Sequence, residues 1–316
     1  MKVSMCKTIR TYEWKNLSKD LLAGLVIMAV SIPISMGYAQ IAGLPAVYGL
    51  YGSVFPIVLF ALFSTSPQFV FGVDAAPAAL VGSALVSLGI EGGSKEALAA
   101  VPVLTFFVAI WLLVFYLCRA GKLVNYISAP VMGGFISGIC TTIILMQVPK
   151  LFGGKAGVGE LPELVQHIWE SRTSFHLPSL LLGVGTLVIL LVSKKLIPKF
   201  PMAVCLMAVG AIGTAFFHLE DIGIQTLAAV EPGLPAWTVP DFGAVPLKEA
   251  VTISLSVSVV IMAETLLAEN SFAQKNRYRI DDNQEILAFA MGNLVASVTG
   301  CCPVNGSVSR TAMGDQ

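Results

Sequence analysis

The chain has 316 residues, nineteen Lys plus Arg balanced by nineteen Asp plus Glu, and so no formal net charge. Charged residues make up 12% and apolar residues 56%, whereas an ordinary soluble domain carries about 25% charged residues. That supply cannot clothe a water-soluble enzyme or binding module of this size, and the neutral balance excludes a nucleic-acid binder, which needs a basic surface. The six Cys show no metal or redox spacing and read as small packing residues. No H-E-x-x-H helix, Walker loop or G-x-S-x-G nucleophile occurs, so neither an enzyme nor a cofactor is expected.

Charge-free runs set the architecture. They cover Leu21–Val73, Ala97–Cys118, Leu123–Pro149, Thr173–Ser193, Phe200–Leu219, Ala250–Ala263 and Ile286–Ser309. A membrane helix needs about 20 apolar residues. In lipid the backbone must satisfy its own hydrogen bonds, so these runs are expected to be helices. The first 20 residues are polar and basic and read as a cytoplasmic segment. Span 1 is placed near Leu21–Ile41 and span 2 near Val47–Phe63, with Gly43, Pro45 and Gly49 marking the turn between them. Ala75–Ile90, called span 3, has 16 residues. It covers roughly 24 Å of a core about 30 Å thick and is a half-span. Spans 4 to 9 follow at Ala97–Cys118, Ala129–Phe152, Leu177–Ile197, Met202–Leu219, Leu247–Phe272 and Asn283–Thr299. The stretch around Glu160, Glu163, His167 and Glu170 reads as a solvated amphipathic loop, and His176 and His218 as interfacial. Gly133, Gly134, Ser137 and Gly138 in span 5 are expected to let helices approach closely. The aromatic residues are expected mostly at the lipid or the interface.

With the N-terminus inside, Lys2, Lys7, Arg10, Lys15, Lys19, Arg119, Lys122, Lys194, Lys195, Lys199, Lys275, Arg277 and Arg279 fall on the cytoplasmic side. Lys95, Lys150, Lys155, Arg172 and Lys248 fall outside. This excess of inner basic residues supports a cytoplasmic N-terminus. The loop 220–246 is then extracellular and contains no Lys or Arg.

Asp74, Glu264 and Arg310 remain at membrane depth, where each costs about 2.5–3.5 kcal/mol. Gln68–Phe71 reads as an extended stretch broken by Gly72. Pro77 then falls in the first turn of the next helix, with Asp74 as its N-cap. Asp74 is either a cap alone or a cap beside a ligand. The run Cys301–Arg310 is broken by Pro303 and Gly306, and Ser307 can open a new helix. Helix starts attract anions, and Arg310 adds a fork of donors suited to an oxyanion. The plainer alternative is an exposed Arg in an outer loop. Two broken segments at mid-depth point to a transporter's binding site. Glu264 borders a face bearing Ser254, Ser258 and Thr265 that reads as a cavity wall. It is a structural partner for Arg310 or a carrier of a coupling proton.

These residues also carry a resemblance. Pro33–Tyr51, "PISMGYAQIAGLPAVYGLY", resembles the signature at the first two spans of the SulP family of anion transporters. Cys118–Gly153 resembles its span 5 region, "AETLLAENSFAQKNRYRIDDNQEILAFAMGNLVAS" its spans 8 and 9, and "PVNGSVSRTA" at Pro303–Ala312 its span 10 motif. The resemblance implies an all-α polytopic membrane protein with fourteen spans in two inverted repeats of seven. Spans 3 and 10 are then short extended segments followed by half-helices whose starts face one another. The first repeat would occupy residues 21–219 and the second would begin at 247–316. It implies a small anion as substrate, a proton or sodium as coupling ion, a homodimer in the plasma membrane, and usually a cytoplasmic STAS domain. No STAS domain is expected within these 316 residues, and the chain reads as the N-terminal part of a longer transporter. By position, Tyr38, Ser307, Ser309 and Arg310 match the anion-binding residues and Glu264 the acid linked to coupling; Asp74, Ala75, Ala76 and Val308 fall at the two half-helix starts and complete the expected binding residues, with Asp74 a second coupling candidate. Ile34 stands where many animal members have Gln. Asp74 stands where others are neutral, which favours cation coupling.

The expected function is secondary active transport of an anion, sulfate first. Bicarbonate or dicarboxylate transport, anion exchange and a channel of the same family are alternatives. So are nucleobase uptake on the same architecture and, from another class, a non-transporting membrane scaffold.

Overall fold

The computed structural model describes residues 14–122, 129–154, 157, 161–171, 175–197, 202–224, 226 and 233–314. Cys6, Lys2, Lys7, Arg10, Lys155, Glu160, Arg172 and Lys199 lie outside the described residues. After a short 3-10 turn at Trp14–Asn16 come α1 (Leu17–Ile41), α2 (Ala46–Gly52), α3 (Phe55–Phe63), β1 (Phe71–Val73), α4 (Ala75–Ser87) and α5 (Lys95–Leu117). Then follow α6 (Ala129–Leu151), α7 (Leu161–Ser171), α8 (Leu177–Leu196), α9 (Met202–Phe217), α10 (Leu247–Lys275), α11 (Asp282–Val298), β2 (Val304–Gly306) and α12 (Val308–Gly314). Among the described residues, five helical segments are long and apolar enough to cross a bilayer: Leu17–Ile41, Ala46–Phe63, Lys95–Leu117, Leu177–Leu196 and Leu247–Lys275. The fold is an all-helical membrane architecture interrupted by two short strands.

Helix ends follow local chemistry. Ser94 starts α5 by accepting the Ala97 N–H at 3.0 Å, and Asp281 starts α11 by accepting from the Asn283 and Gln284 N–H groups. Span 2 is two helices rather than one. Pro56 in the first turn of α3 cannot continue a helix begun upstream, and the chain breaks at Ser53 and Val54. Gly49 is not part of the preceding turn. It lies inside α2, where a Cβ would collide with the Ser35 carbonyl of α1. Its missing side chain lets two helices touch.

The buried centre is formed by α11 against α5 and α3, with α10 on α5. A minority of the aromatic residues belong to this centre, among them Phe60, Phe71 and Phe289, while most of those described are exposed or half-buried. Phe71 of β1 lies against Phe60 of α3 at 4.5 Å and Phe289 of α11 at 5.8 Å, each ring pair 8° from parallel, and Phe60 and Phe289 close the triangle at 6.1 Å. All three rings are buried. Such contacts add about 0.5–1.5 kcal/mol each beyond their burial. Gly292 leaves room for the Phe71 ring, which a Cβ would strike.

Several sequence expectations change. His167 lies in a helix, α7, not a loop. Gly133, Gly134, Ser137 and Gly138 are exposed, and a Cβ added at any of the three glycines would meet nothing within 4 Å, so no described helix packs there. Cys118 and Cys140 are exposed rather than packed, while Cys301 and Cys302 are buried. His176 is the N-cap of α8, with Nε2 2.8 Å from the Ile222 carbonyl oxygen.

The two strands pair antiparallel, Phe71 with Gly306, Gly72 with Asn305 and Val73 with Val304. Gly72 therefore sits in the middle of β1 and does not end it. The far edge of β2 is closed by side chains. Asn293 of α11 accepts from the Val304 N–H and donates to the Val304 carbonyl, both at 2.9 Å. Thr265 of α10 accepts from the Gly306 N–H at 3.2 Å.

Asn293→Leu keeps the volume and strands both Val304 groups. At about 1–3 kcal/mol for each orphaned group, it should lower the melting temperature of the full natural protein sharply in detergent. Ser297→Ala removes a hydroxyl that bonds only to Leu294 of its own helix and should cost under about 1 kcal/mol. Equal melting shifts for the two variants would refute the edge-closing role of Asn293.

Candidate functional site

The ribbon brings the two interrupted segments together. Chain 71–73 leads through Asp74 into α4, and chain 304–306 leads through Ser307 into α12. The ladder extends by one bond, since the Ser307 N–H donates to the Val70 carbonyl at 2.8 Å. The Val70 N–H donates to Thr311 Oγ1 at 3.0 Å, and that hydroxyl donates to the Ser307 carbonyl at 2.7 Å. The start of α12 is thus bound to the strand that feeds α4. Asp74 occupies the N-cap position of α4 with extended backbone but makes no side-chain cap bond. Its carboxylate instead faces the Ala75 N–H, the Ser307 hydroxyl and the Arg310 guanidinium.

Arg310 is fully buried. Its position follows from α12, whose first turn points the side chain back across the ribbon. Nη2 donates to the Val73 carbonyl at 2.6 Å, at the β1–α4 junction. A Cβ on Gly72 would lie 3.2 Å from Nη1, so the bare glycine makes the space for the guanidinium. Nε and Nη1 have no hydrogen-bond partner among the described residues. Asp74 and Tyr38 are its electrostatic neighbours. The exposed-loop reading of Arg310 is overturned, because the strand pairing draws the residue inward.

Glu264 does not pair with Arg310. Its Oε2 accepts from Asn305 Nδ2 at 3.1 Å, and Asp74 is its charged neighbour. Asn305 is paired directly opposite Gly72, over which the guanidinium lies, so Glu264 and Arg310 share one face of the ribbon with the Asn305 amide on Glu264. Nor do Ser254 and Ser258 line a cavity. Both are fully buried, and their hydroxyls bond carbonyls of their own helix, at Val251 and Leu255.

Tyr38, Asp74 and Glu264 are half-buried and gather around the junction; Ala75, Ala76 and Ser307 are buried at the helix starts. Val308 and Ser309 are exposed on the first turn of α12, and the Ser307 and Ser309 hydroxyls lie 3.4 Å apart. Sequence reasoning missed Asn305, Thr265 as a ribbon partner, and Asn293. The available signal was the spacing of the amides: Asn293 and Asn305 are polar residues inside a charge-free run. What the arrangement offers chemically is two free guanidinium donors, a tyrosine hydroxyl and the start of α4, set against two carboxylates.

Comparison with known proteins agrees with this architecture. The Sulfate permease family matches residues 17–316. The chain is 31% identical over 320 residues to Sulfate transporter 4.1, chloroplastic, of Arabidopsis thaliana, covering 98% of this chain and 46% of that protein. It is 28% identical over 306 residues to Probable sulfate transporter MT1781 of Mycobacterium tuberculosis, covering 97% of this chain and 54% of that protein. The chain spans about half the length of the curated relatives it matches. Its fold is similar to the structure of SLC26A9, with a TM-score of 0.87 at 22% identity, over 98% of this chain and 52% of that one.

Gly306 is the tightest point of the site, since a Cβ there would overlap the Phe69 ring and the Thr265 methyl group. Gly306→Val should separate the strands, release Arg310 from Val73 and lower the melting temperature of the full natural protein. An unaltered melting temperature in that variant would show that the close contact at Gly306 does not hold the ribbon.

Proposed function

The chain belongs to the sulfate permease family, and we propose that it forms the binding core of a secondary active transporter of small anions, sulfate being the first candidate. The observation that carries this reading is the buried Arg310, with Nε and Nη1 unpartnered beside the start of α4. Buried donors without partners cost about 1–3 kcal/mol each, more when charged. An oxyanion that accepts from both recovers that cost. Ala75 and Ala76 offer the first N–H groups of α4, and small side chains there let an anion approach the backbone. Tyr38 adds a hydroxyl from α1. Ser307, Val308 and Ser309 are the corresponding positions on α12. Both halves are built as strand, single residue and helix, which supports two inverted repeats, the first over 21–219 and the second opening at 247.

The charge balance argues for coupling. Two carboxylates, Asp74 and Glu264, face one guanidinium. An anion entering this group meets net negative charge unless a cation enters with it. A proton on either carboxylate, or a sodium ion beside Asp74, removes the repulsion and makes anion entry depend on the cation gradient. Glu264 is linked to β2 through Asn305, so its charge state bears on the strand that leads to Arg310. Alternating access then exposes the loaded group to either side of the membrane. The proposal places the N-terminus in the cytoplasm and the full natural protein as a homodimer in the plasma membrane.

The test is radiolabelled sulfate uptake into liposomes carrying the full natural protein, with competing bicarbonate, oxalate and fumarate. Imposed proton and sodium gradients identify the coupling ion. Arg310→Ala should lower sulfate affinity roughly 10- to 100-fold, the value of losing charge-assisted bonds of about 1.5–3 kcal/mol. Glu264→Gln should leave saturable uptake but weaken its response to the coupling gradient. Unchanged sulfate affinity in Arg310→Ala would remove the site assignment. Uptake indifferent to every imposed gradient would mark a channel or exchanger instead.

A further inference from the structure

A second pair of carboxylates lies apart from the Arg310 group. Glu269 of α10 is fully buried, and neither of its carboxylate oxygens has a hydrogen-bond partner among the described residues. Its charged neighbours are Glu285 and Asp282 of α11. Glu285 is also fully buried. Its Oε1 accepts from the Thr65 N–H at 2.6 Å and from the Thr65 hydroxyl, the Ser64 hydroxyl and the Ser66 N–H also face the carboxylate, and Oε2 has no close hydrogen-bond partner among the described residues. Asp282 accepts from Asn270 Nδ2 at 2.9 Å.

The surrounding elements supply no buried cation among the described residues. Lys275, Arg277 and Arg279 in the α10–α11 turn are exposed, as are Arg119 and Lys122 beyond α5 and Asp281 at the head of α11. The α3–β1 linker, residues 64–70, brings Ser64, Thr65 and Ser66 to Glu285 and carries no charged residue. Tyr278 lies with its phenol 3.3 Å from Ser66 Oγ. A buried ionised carboxylate without a cation or donors is prohibitively costly, and two side by side are worse. The two acids are not equivalent. Glu285 is supplied with two donors by Thr65, which stabilise a negative charge. Glu269 has none, and a protonated carboxyl needs none, because it is itself a donor. Among the described residues no three acids, His or Cys are grouped so as to hold a metal ion, whereas a proton requires only one oxygen.

We propose that Glu269 and Glu285 form a proton-binding site separate from Asp74 and Glu264, with Glu269 the protonated member and Glu285 the charged one. The site has a mechanical connection. Glu285 holds Thr65, Gln284 donates to the Phe63 carbonyl at 2.8 Å, and the linker from Phe63 runs directly into β1. Loss of the proton leaves two buried charges beside each other at the point where α10 and α11 grip that linker. The contact then opens to water, which makes the site a pH-sensitive clasp on the strand leading to Asp74.

Infrared spectroscopy of the full natural protein in lipid tests this without requiring transport. A buried protonated carboxyl gives a carboxylic-acid C=O band that shifts in D2O. The wild type should show this band at neutral pH, and Glu269→Gln, which mimics the protonated side chain, should lose the Glu269 component of it, leaving only what a coupling proton on Asp74 or Glu264 contributes. Asp74→Asn, Glu264→Gln and Glu285→Gln should retain it. Stability provides a second readout. A folded state that holds one more proton than the unfolded state becomes less stable as pH rises. Melting temperature should therefore fall as pH rises above the ordinary carboxylate range in the wild type, and the fall should be smaller in Glu269→Gln. Absence of the band in the wild type, its survival at full intensity in Glu269→Gln, or its loss on replacing choline chloride with sodium chloride would each overturn the proposal. Sulfate uptake plays no part in these outcomes, so they stand whether or not the anion assignment holds.

Discussion

Two strands of three residues, placed in a membrane, present outer edges whose N–H and C=O groups find no water. The cost of that exposure is several kcal/mol for each unsatisfied group. The rest of the structure is arranged around removing it. Asn293 acts as a short substitute for a third strand, presenting one acceptor and one donor to Val304. Thr265 takes the Gly306 N–H, and Arg310 takes the Val73 carbonyl. Three helices thereby become fixed to the ribbon through polar side chains, α11 by Asn293, α10 by Thr265 and α12 by Arg310. The aromatic stack of Phe60, Phe71 and Phe289 then supplies the apolar contact that seats the ribbon on α3 and α11.

Much of this was legible in the chain. Charge-free runs located the spans to within a few residues, because lipid imposes both length and composition on a helix. The interruption at Pro303–Gly306 and the half-length of the segment after Asp74 indicated two broken helices. The residues that join them were less visible. Asn293 and Asn305 are uncharged and escape a search for ionisable groups, yet each donates to a partner far along the chain or across the ribbon. Strand pairing is a non-local property. Nothing within Gln68–Val73 specifies that Gly72 will oppose Asn305. The resemblance to a known family implied facing helix starts, but only the register explains why Arg310 reaches Val73 while Glu264 reaches Asn305.

The misread glycines follow from the same distinction. A glycine permits close approach, but the partner decides whether the approach occurs. Gly49 meets the Ser35 carbonyl and Gly292 meets the Phe71 ring, whereas Gly133, Gly134 and Gly138 meet nothing among the described residues. Span 2 was misread for a different reason. Its apolar run is long enough for one helix, and the break is marked only by the short signals Gly52, Ser53 and Pro56.

Arg310 unites the fold and the proposed chemistry because its three nitrogens are divided. Nη2 belongs to the ribbon, through Val73, while Nε and Nη1 have no hydrogen-bond partner among the described residues. A lysine could not make this division, since its ammonium carries one charge centre without a rigid fork. The guanidinium plane instead fixes the direction of the two free donors once the third is bound. Val73 is followed immediately by Asp74, so the same bond sets how far the acid stands from the cation. The spacing of these charges is therefore a property of strand pairing. Any motion that slides β1 past β2 changes the separation of Asp74, Glu264 and Arg310 together. On the proposed reading, this is why anion and coupling cation act as one load: both are bound to groups whose distances are set by a single backbone register.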